Sequence, residues 1–194
     1  MQYTTLPVIR TKKLTDNYTE IITKRKREIV YKPGDCLLIK KPASDDYRPY
    51  FLASGTQEAW LRIIVRCNTC EIISGNKIRT KHKPFNVFPS LVAVKKPVFI
   101  CSGIGASPFL SYMSTFPSEE VQVYITPGTV NEEWLTKVKQ AKIISSASEL
   151  RNVLEVKQKP EYYICAESEQ AQAFKQILLD SGIKEKKIQY MDFL

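Results

Sequence analysis

No apolar run in this 194-residue chain is long enough to span a bilayer, so no membrane-crossing helix is expected. The opening MQYTTLPVIRTKK lacks the charged-then-apolar order of a secretory signal. The five cysteines are odd in number and show no disulfide-scaffold spacing, so reduced thiols in a cytoplasmic compartment are expected. Cys67-Asn68-Thr69-Cys70 has no second cysteine pair, and His82 is the single histidine, too few ligands for a zinc site. As a redox dithiol the pair lacks the helix N-terminus that lowers a thiol pKa, and it reads as a strand end or hairpin. No metal is expected. Internal repeats and low-complexity segments are also absent.

Acidic residues are outnumbered, 20 against 29 Lys and Arg, for a formal charge of +9. The basic residues cluster at Lys12-Lys13, Lys24 to Arg27, Lys81-His82-Lys83, Lys95-Lys96 and Lys184 to Lys187. Such a surface attracts phosphorylated cofactors and acidic proteins. The clusters are scattered and are not interleaved with aromatics along the sequence, as a single-stranded nucleic-acid platform requires. Nucleic acid is therefore not an expected partner.

The hydrophobic period changes near Lys95-Lys96-Pro97. Before it, LPVIRTKK and YTEIITKRK read as strands around the turn Thr15-Asp16-Asn17. A turn at Pro33-Gly34-Asp35 leads into a strand through Leu37 to Ile39, and RPYFLAS and WLRIIVRC follow as further strands. NVFPSLVAV is expected to hold a last short strand. Many short strands and no long helical pattern predict a small antiparallel β-barrel over residues 1–95.

After the boundary, PVFICS is a continuous apolar run, as in a strand buried on both faces. Phe109, Tyr112, Met113 and Phe116 then recur at helical spacing, with Ser107 as N-cap and Pro108 at the first helical position. VQVYIT, AKIIS, EYYICA and KIQYMDFL are the remaining strands. Helices are predicted from Asn131, over ASELRNVLEV, and from Ser168 to Asp180, the last stopping at Gly182. This alternation predicts a five-stranded parallel α/β domain over residues 96–194, covered on both faces.

Three stretches carry more chemistry than their periodicity. In CSGIGASPFLS, Gly103 and Gly105 allow a close backbone approach to a pyrophosphate, whose charge the following helix start favours. The third glycine of a dinucleotide fingerprint, which serves helix–strand packing, is missing. CSGIGASPFLS resembles the pyridine-nucleotide turn of the ferredoxin–NADP reductase superfamily, commonly Gly-Gly-Thr-Gly-Ile-Ala-Pro, where proline opens the helix. RPYFLAS resembles that superfamily's flavin-binding strand, Arg-x-Tyr-Ser/Thr. YYICAESEQAQAFKQILLDSGIKEKKIQYMDF resembles its closing segment, and YKPGDCLLI stands where the family has a Pro-Gly-Gln turn. The order is kept over nearly the whole chain.

The resemblance implies a flavin, FAD or FMN, as cofactor or passing substrate, and NADH or NADPH as reductant. It implies Arg48 on a flavin phosphate and Tyr50 stacked on the isoalloxazine, with Pro49, Phe51, Leu52 and Ser54 along the same strand. Gly103, Ile104, Gly105, Ala106, Pro108 and Ser111 would hold the nicotinamide nucleotide. Phe193 would cover the other flavin face, and Cys165 would stand by the nicotinamide. The implied activity is an NAD(P)H-dependent flavin oxidoreductase serving a small molecule, an acidic electron-carrier protein or a larger assembly.

Three departures keep a second reading open, that of a reductase-like module acting as a structural or regulatory subunit. Phe51 replaces the hydroxyl residue after Tyr50, and Ala166-Glu167 replace Gly-Pro after Cys165. No counterpart of the family's Gly-x-x-Ser/Thr diphosphate loop is found. Separately, PGTVN stands where an arginine often follows the second strand of the nucleotide domain, so the resemblance implies no preference for a 2′-phosphate.

Overall fold

The computed structural model describes residues 3–42, 46–66, 72–81, 84–117, 120–126, 141–154 and 160–193. The Cys67–Cys70 pair, His82 and the helix expected from Asn131 lie outside them. The chain divides into two compact units, Met1–Val92 with Ser107–Pro117, and Ala93–Ala106 with Ser118–Leu194.

The first unit is an antiparallel sheet of β1 (Tyr3–Lys13), β2 (Tyr18–Lys24), β3 (Asp35–Lys40), β4 (Tyr47–Phe51), β5 (Trp60–Arg66), β6 (Lys77–Lys81) and β7 (Phe85–Asn86). The strand order is β4-β3-β6-β1-β2-β5, with β7 paired to β3. The sheet curls without closing into a full barrel. Its two ends are joined by one bridge, Leu52 to Ile63, and by the Ala53 amide donating to the Arg62 carbonyl at 2.8 Å.

Local chemistry sets the turns. The Thr15 hydroxyl accepts from the amides of Asn17 and Tyr18, both at 3.1 Å, and closes the β1–β2 hairpin. At Lys32–Asp35 proline precedes Gly34, whose φ of +88° a type II turn requires, and the Asp35 amide donates to the Lys32 carbonyl at 3.0 Å. Strand alternation turns Leu6, Ile21, Leu37, Ile39, Leu61, Ile63, Val65 and Ile78 into one buried cluster.

Strand β6 is absent from the sequence reading. Only Ile78 is apolar in Lys-Ile-Arg-Thr-Lys, so the pattern is too thin to register, yet Ile78 and Thr80 are buried in it. The strand enters through Gly75-Asn76, both with positive φ, in a two-residue hairpin bridged at Ser74 and Lys77. The strand expected within NVFPSLVAV is corrected. Pairing with β3 occurs at Phe85–Asn86, and Pro89, which cannot donate to a ladder, is followed by a 3-10 turn at Leu91–Ala93.

The second unit is the expected five-stranded parallel sheet, of β8 (Val98–Ser102), β9 (Gln122–Thr126), β10 (Ala141–Ile143), β11 (Tyr162–Glu167) and β12 (Ile188–Phe193). Its order is β10-β9-β8-β11-β12. Helices α2 (Ala147–Val153) and α3 (Ser168–Asp180) bury Leu150, Ala171, Phe174 and Leu178 in one cluster with Val98, Ile100, Tyr124, Tyr162 and Ile164 of the sheet. Ser146 caps α2 by accepting from the Glu149 amide, and Gly182, at φ +82°, ends the turn after α3. On the opposite face of the sheet Phe99, Cys101, Ile125, Tyr163 and Cys165 are buried as well.

Helix α1 (Ser107–Thr115) follows a 3-10 turn at Gly103–Ala106 and belongs by its contacts to the first unit. Ser107 lies inside the helix rather than capping it. The 3-10 turn already supplies the entry that a cap would provide, and Pro108 still falls in the first turn, where its missing amide costs nothing.

Candidate functional site

In the parallel sheet the chain starts at the centre with β8, runs outward through β9 and β10, and returns past β8 to β11 and β12. The direction of winding reverses between β8 and β11. In open parallel sheets ligands bind beyond the carboxyl ends of the strands at such a reversal. Ser102 ends β8 there, Glu167 ends β11, and the Gly103–Ala106 turn leaves β8 at the same place.

That turn is held from below. A Cβ on Gly105 would lie 1.9 Å from the Cys165 carbonyl oxygen and 3.0 Å from Cε1 of Phe193. The structure therefore gives Gly105 a packing task beside the one expected of it. Gly105 is bare because the turn packs directly on the β11 backbone, the task assigned in other dinucleotide turns to the missing third glycine. Gly103 is the glycine with a conformational need, at φ +49°. Ala106 and Pro108 are buried and Ile104 is half-buried.

Gly103, Ile104, Gly105, Ala106, Cys165 and Phe193 thus gather at one edge of the second unit. Cys165 is fully buried, and what it offers the turn is its main-chain carbonyl. Phe193, opposite Glu167 on the neighbouring strand, lays its ring against Gly105. The Ser168 hydroxyl donates to Asp192 at 3.2 Å on the same edge.

One polar group there was not anticipated. Thr126 ends β9 directly opposite Ser102 and is buried, and its hydroxyl has no hydrogen-bond partner among the described residues. A buried hydroxyl without a partner is costly, by about 1–3 kcal/mol, unless a ligand or water satisfies it. The only trace in the sequence is a polar residue closing the apolar run VQVYIT. Gly103's backbone and the Thr126 hydroxyl fit the polar demands of a nucleotide's diphosphate and ribose.

The other expected residues lie in the first unit. Arg48 is exposed opposite Ile39 on the β3–β4 ladder, and its side chain has no hydrogen-bond or ion-pair partner among the described residues, so it fits a phosphate. Tyr50 stands opposite Leu37 and joins it in the buried cluster with only 9% of its surface exposed. Strand alternation directs Pro49 and Phe51 to the other side, where Phe51 is half-buried and stacked on Phe88 at 6.2 Å and 11°. Outside the core β4 presents the rings of Tyr47, which is stacked on Tyr3, and of Phe51. Leu52 is wholly buried beside the bridge to Ile63.

Ser54 and Ser111 are committed to each other's frameworks. Ser111 is buried and donates its hydroxyl to the Ser54 carbonyl at 2.7 Å, while the Ser54 hydroxyl shares a 2.9 Å hydrogen bond with Tyr31. Around them the Thr56 amide donates to Thr115, Gln57 to the Ser114 carbonyl, and Arg62 to Glu58 at 3.3 Å. Arg25 braces the same loop through the carbonyls of Thr56 and Glu58 and lies over the Tyr31 ring. Burial raises the Tyr31 hydroxyl pKa above its ordinary value, which keeps it a donor to the Gly55 carbonyl. Both serines here fasten α1 to the 54–58 loop.

Several solved structures share this fold. A ferredoxin NADP+ reductase from Neisseria gonorrhoeae with bound FAD and NADP superimposes with a TM-score of 0.77 at 14% identity, covering 99% of each chain. Phthalate dioxygenase reductase gives 0.81 at 16% identity over 98% of this chain and 68% of that one. The chain has the ferredoxin–NADP reductase fold. A flavohaem-like FAD/NAD-binding domain of nitric oxide dioxygenase from Vibrio cholerae also matches, at 0.74 and 18% identity over 97% and 98% of the two chains. No family model matches the chain, and no curated protein matches it by sequence. The reductase fold is thus carried by a sequence far from its neighbours, as expected where core pattern rather than residue identity is retained.

Proposed function

We propose that the protein is a flavin-dependent NAD(P)H oxidoreductase delivering electrons to a small-molecule or protein acceptor. The observation that carries this reading is the glycine turn at the sheet's reversal point, with a buried Thr126 hydroxyl beside it that has no partner among the described residues. It is supported by the match to reductase structures over nearly the full chain. The matched proteins described above are named for redox functions, and the comparisons lend no support to a module without catalysis.

When bound, the flavin would supply the two-electron chemistry and the nicotinamide the hydride. On this reading Arg48 holds a flavin phosphate from the Tyr50 side of β4. Phe51, backed by Phe88, offers on the opposite side the aromatic surface that the family's pattern assigns to Tyr50, so that a flavin meeting both wraps the edge of that strand. Gly103 to Ala106 receive the diphosphate of NADH or NADPH, with Thr126 donating to it or to a ribose. Cys165 and Gly105 fix the floor of that turn, and Phe193 covers it. An acidic carrier protein or a larger assembly suits the +9 charge as acceptor.

Purified protein should absorb near ~450 nm, as flavins do, or do so once loaded with FMN or FAD, and should bleach anaerobically with NADH or NADPH. A colourless protein that reduces neither FMN, FAD nor riboflavin overturns the reading.

A further inference from the structure

Among the described residues, three of the most prominent apolar side chains belong to neighbouring segments of the first unit. Ile9, Val30 and Trp60 are 60%, 74% and 46% exposed. Trp60 stands directly opposite Lys24 on the β2–β5 ladder, and both point outward because their neighbours Leu61 and Thr23 point into the core. On the other side of β2, the β1 strand bulges between Val8 and Arg10 and extrudes Ile9 within one strand spacing, about 4.8 Å, of the same ladder. Val30 follows the turn in which the Ile29 amide donates to the Lys26 carbonyl at 3.0 Å. Arg25 ties that turn down, its amide on the Ala59 carbonyl at 3.2 Å and its Nε on the Ile29 carbonyl at 3.0 Å.

The basic run of residues 24–27 therefore starts opposite Trp60, one strand from Ile9, and leads into the turn before Val30. Arg25 is consumed by the framework, whereas Lys24, Lys26 and Arg27 have no ion-pair partner among the described residues. Glu28 is the one acid in the stretch from Lys24 to Lys32. We propose that these segments dock on an anionic lipid surface. Trp60 sits at headgroup depth, Ile9 and Val30 enter the apolar boundary, and the three cations face anionic headgroups.

A polyanion such as single-stranded nucleic acid satisfies the cations but leaves the aliphatic tips in water. Its bases need free ring faces, and the other cationic aromatic cluster is already self-stacked. Tyr3 and Tyr47 lie 5.5 Å apart, with Arg79 over one ring and Lys81 over the other, each at 5.0 Å.

The test is co-sedimentation of the full chain with vesicles of phosphatidylcholine alone or with about 30% phosphatidylserine. Binding is expected only with phosphatidylserine. A Trp134→Phe variant leaves Trp60 as the sole indole, and its emission should shift blue and be quenched by brominated lipid. Trp60→Ala and the pair Lys24→Glu with Arg27→Glu should each weaken binding by about tenfold or more without moving the unfolding midpoint. Retained binding in Trp60→Ala overturns the proposal, whatever the fate of the Trp134 variant, and so does equal binding to neutral vesicles. Single-stranded DNA binding that is lost in Lys24→Glu/Arg27→Glu, with no lipid binding, would assign the segments to a polyanion instead. Concentration-dependent dimers abolished by Trp60→Ala, again without lipid binding, would assign them to a second copy of the chain.

Discussion

A single methyl group at position 105 would stand 1.9 Å from a backbone carbonyl, and no side-chain rotation relieves that overlap. Gly105→Ala is therefore expected to destabilise the second unit by about 3 kcal/mol or more, at the upper end of overpacking costs. Urea unfolding without any nucleotide measures it. Unchanged stability with lost nucleotide affinity would mean that the glycine serves the ligand alone. The β4 residues give the complementary contrast. Tyr50→Ala should cost about 3–5 kcal/mol, as for a buried aromatic, and Arg48→Ala almost none. Flavin content per protein should fall in Arg48→Ala and Phe51→Ala, and equal content in mutants and parent would remove both from the cofactor. Asp35, buried beneath the Lys32 amide and Asn86, has its carboxyl pKa raised above the ordinary 3.8 by burial. The folded state then holds the proton to higher pH than the unfolded state does. Stability should fall as pH rises from the ordinary carboxylate range through that raised value. Asp35→Asn should flatten this slope, and urea midpoints across mildly acidic pH would reveal a slope that persists.

At the scale of elements, Ser111 gives the clearest prediction. Its hydroxyl is buried on the Ser54 carbonyl, so Ser111→Ala should cost about 1–3 kcal/mol through the acceptor left unsatisfied. Thermal unfolding measures the loss, and nucleotide affinity should hold; the opposite pattern would return Ser111 to the nucleotide. The alternation of strands and helices was legible because it repeats over many residues, as in PVFICS or the Phe174 face of α3. Turn chemistry was legible at Thr15 and at Pro33-Gly34. The Gly75-Asn76 hairpin carried a signal of its own, but one apolar residue in β6 gave the period nothing to fix on. Two facts about the candidate site were not local at all. The partner of Gly105 is a carbonyl 60 residues away, and the inward facing of Tyr50 depends on its register with Leu37 across β3. A motif names the residues of a turn or strand. Which side of the sheet they face is decided by pairing with strands elsewhere in the chain.

Over the whole molecule the charge of +9 acts on any anionic ligand, wherever it binds. NADPH carries a further phosphate relative to NADH, so the general field favours it even without a dedicated group. No arginine follows β9 in PGTVN, the place where the family's resemblance puts one. A preference due to the field alone is carried by well-separated charges and is screened over about 10 Å at 0.1 M salt, far less for a buried contact pair. NADPH should therefore stabilise the protein more than NADH at low ionic strength, and the two should converge above about 0.2 M salt. Thermal shift titrations with both nucleotides across a salt series separate the cases. A preference for NADPH that survives high salt would require a built 2′-phosphate site, held by residues in direct contact with it. Convergence would mean that the Gly103 turn and Thr126 hold only what the two cofactors share and set no preference between them.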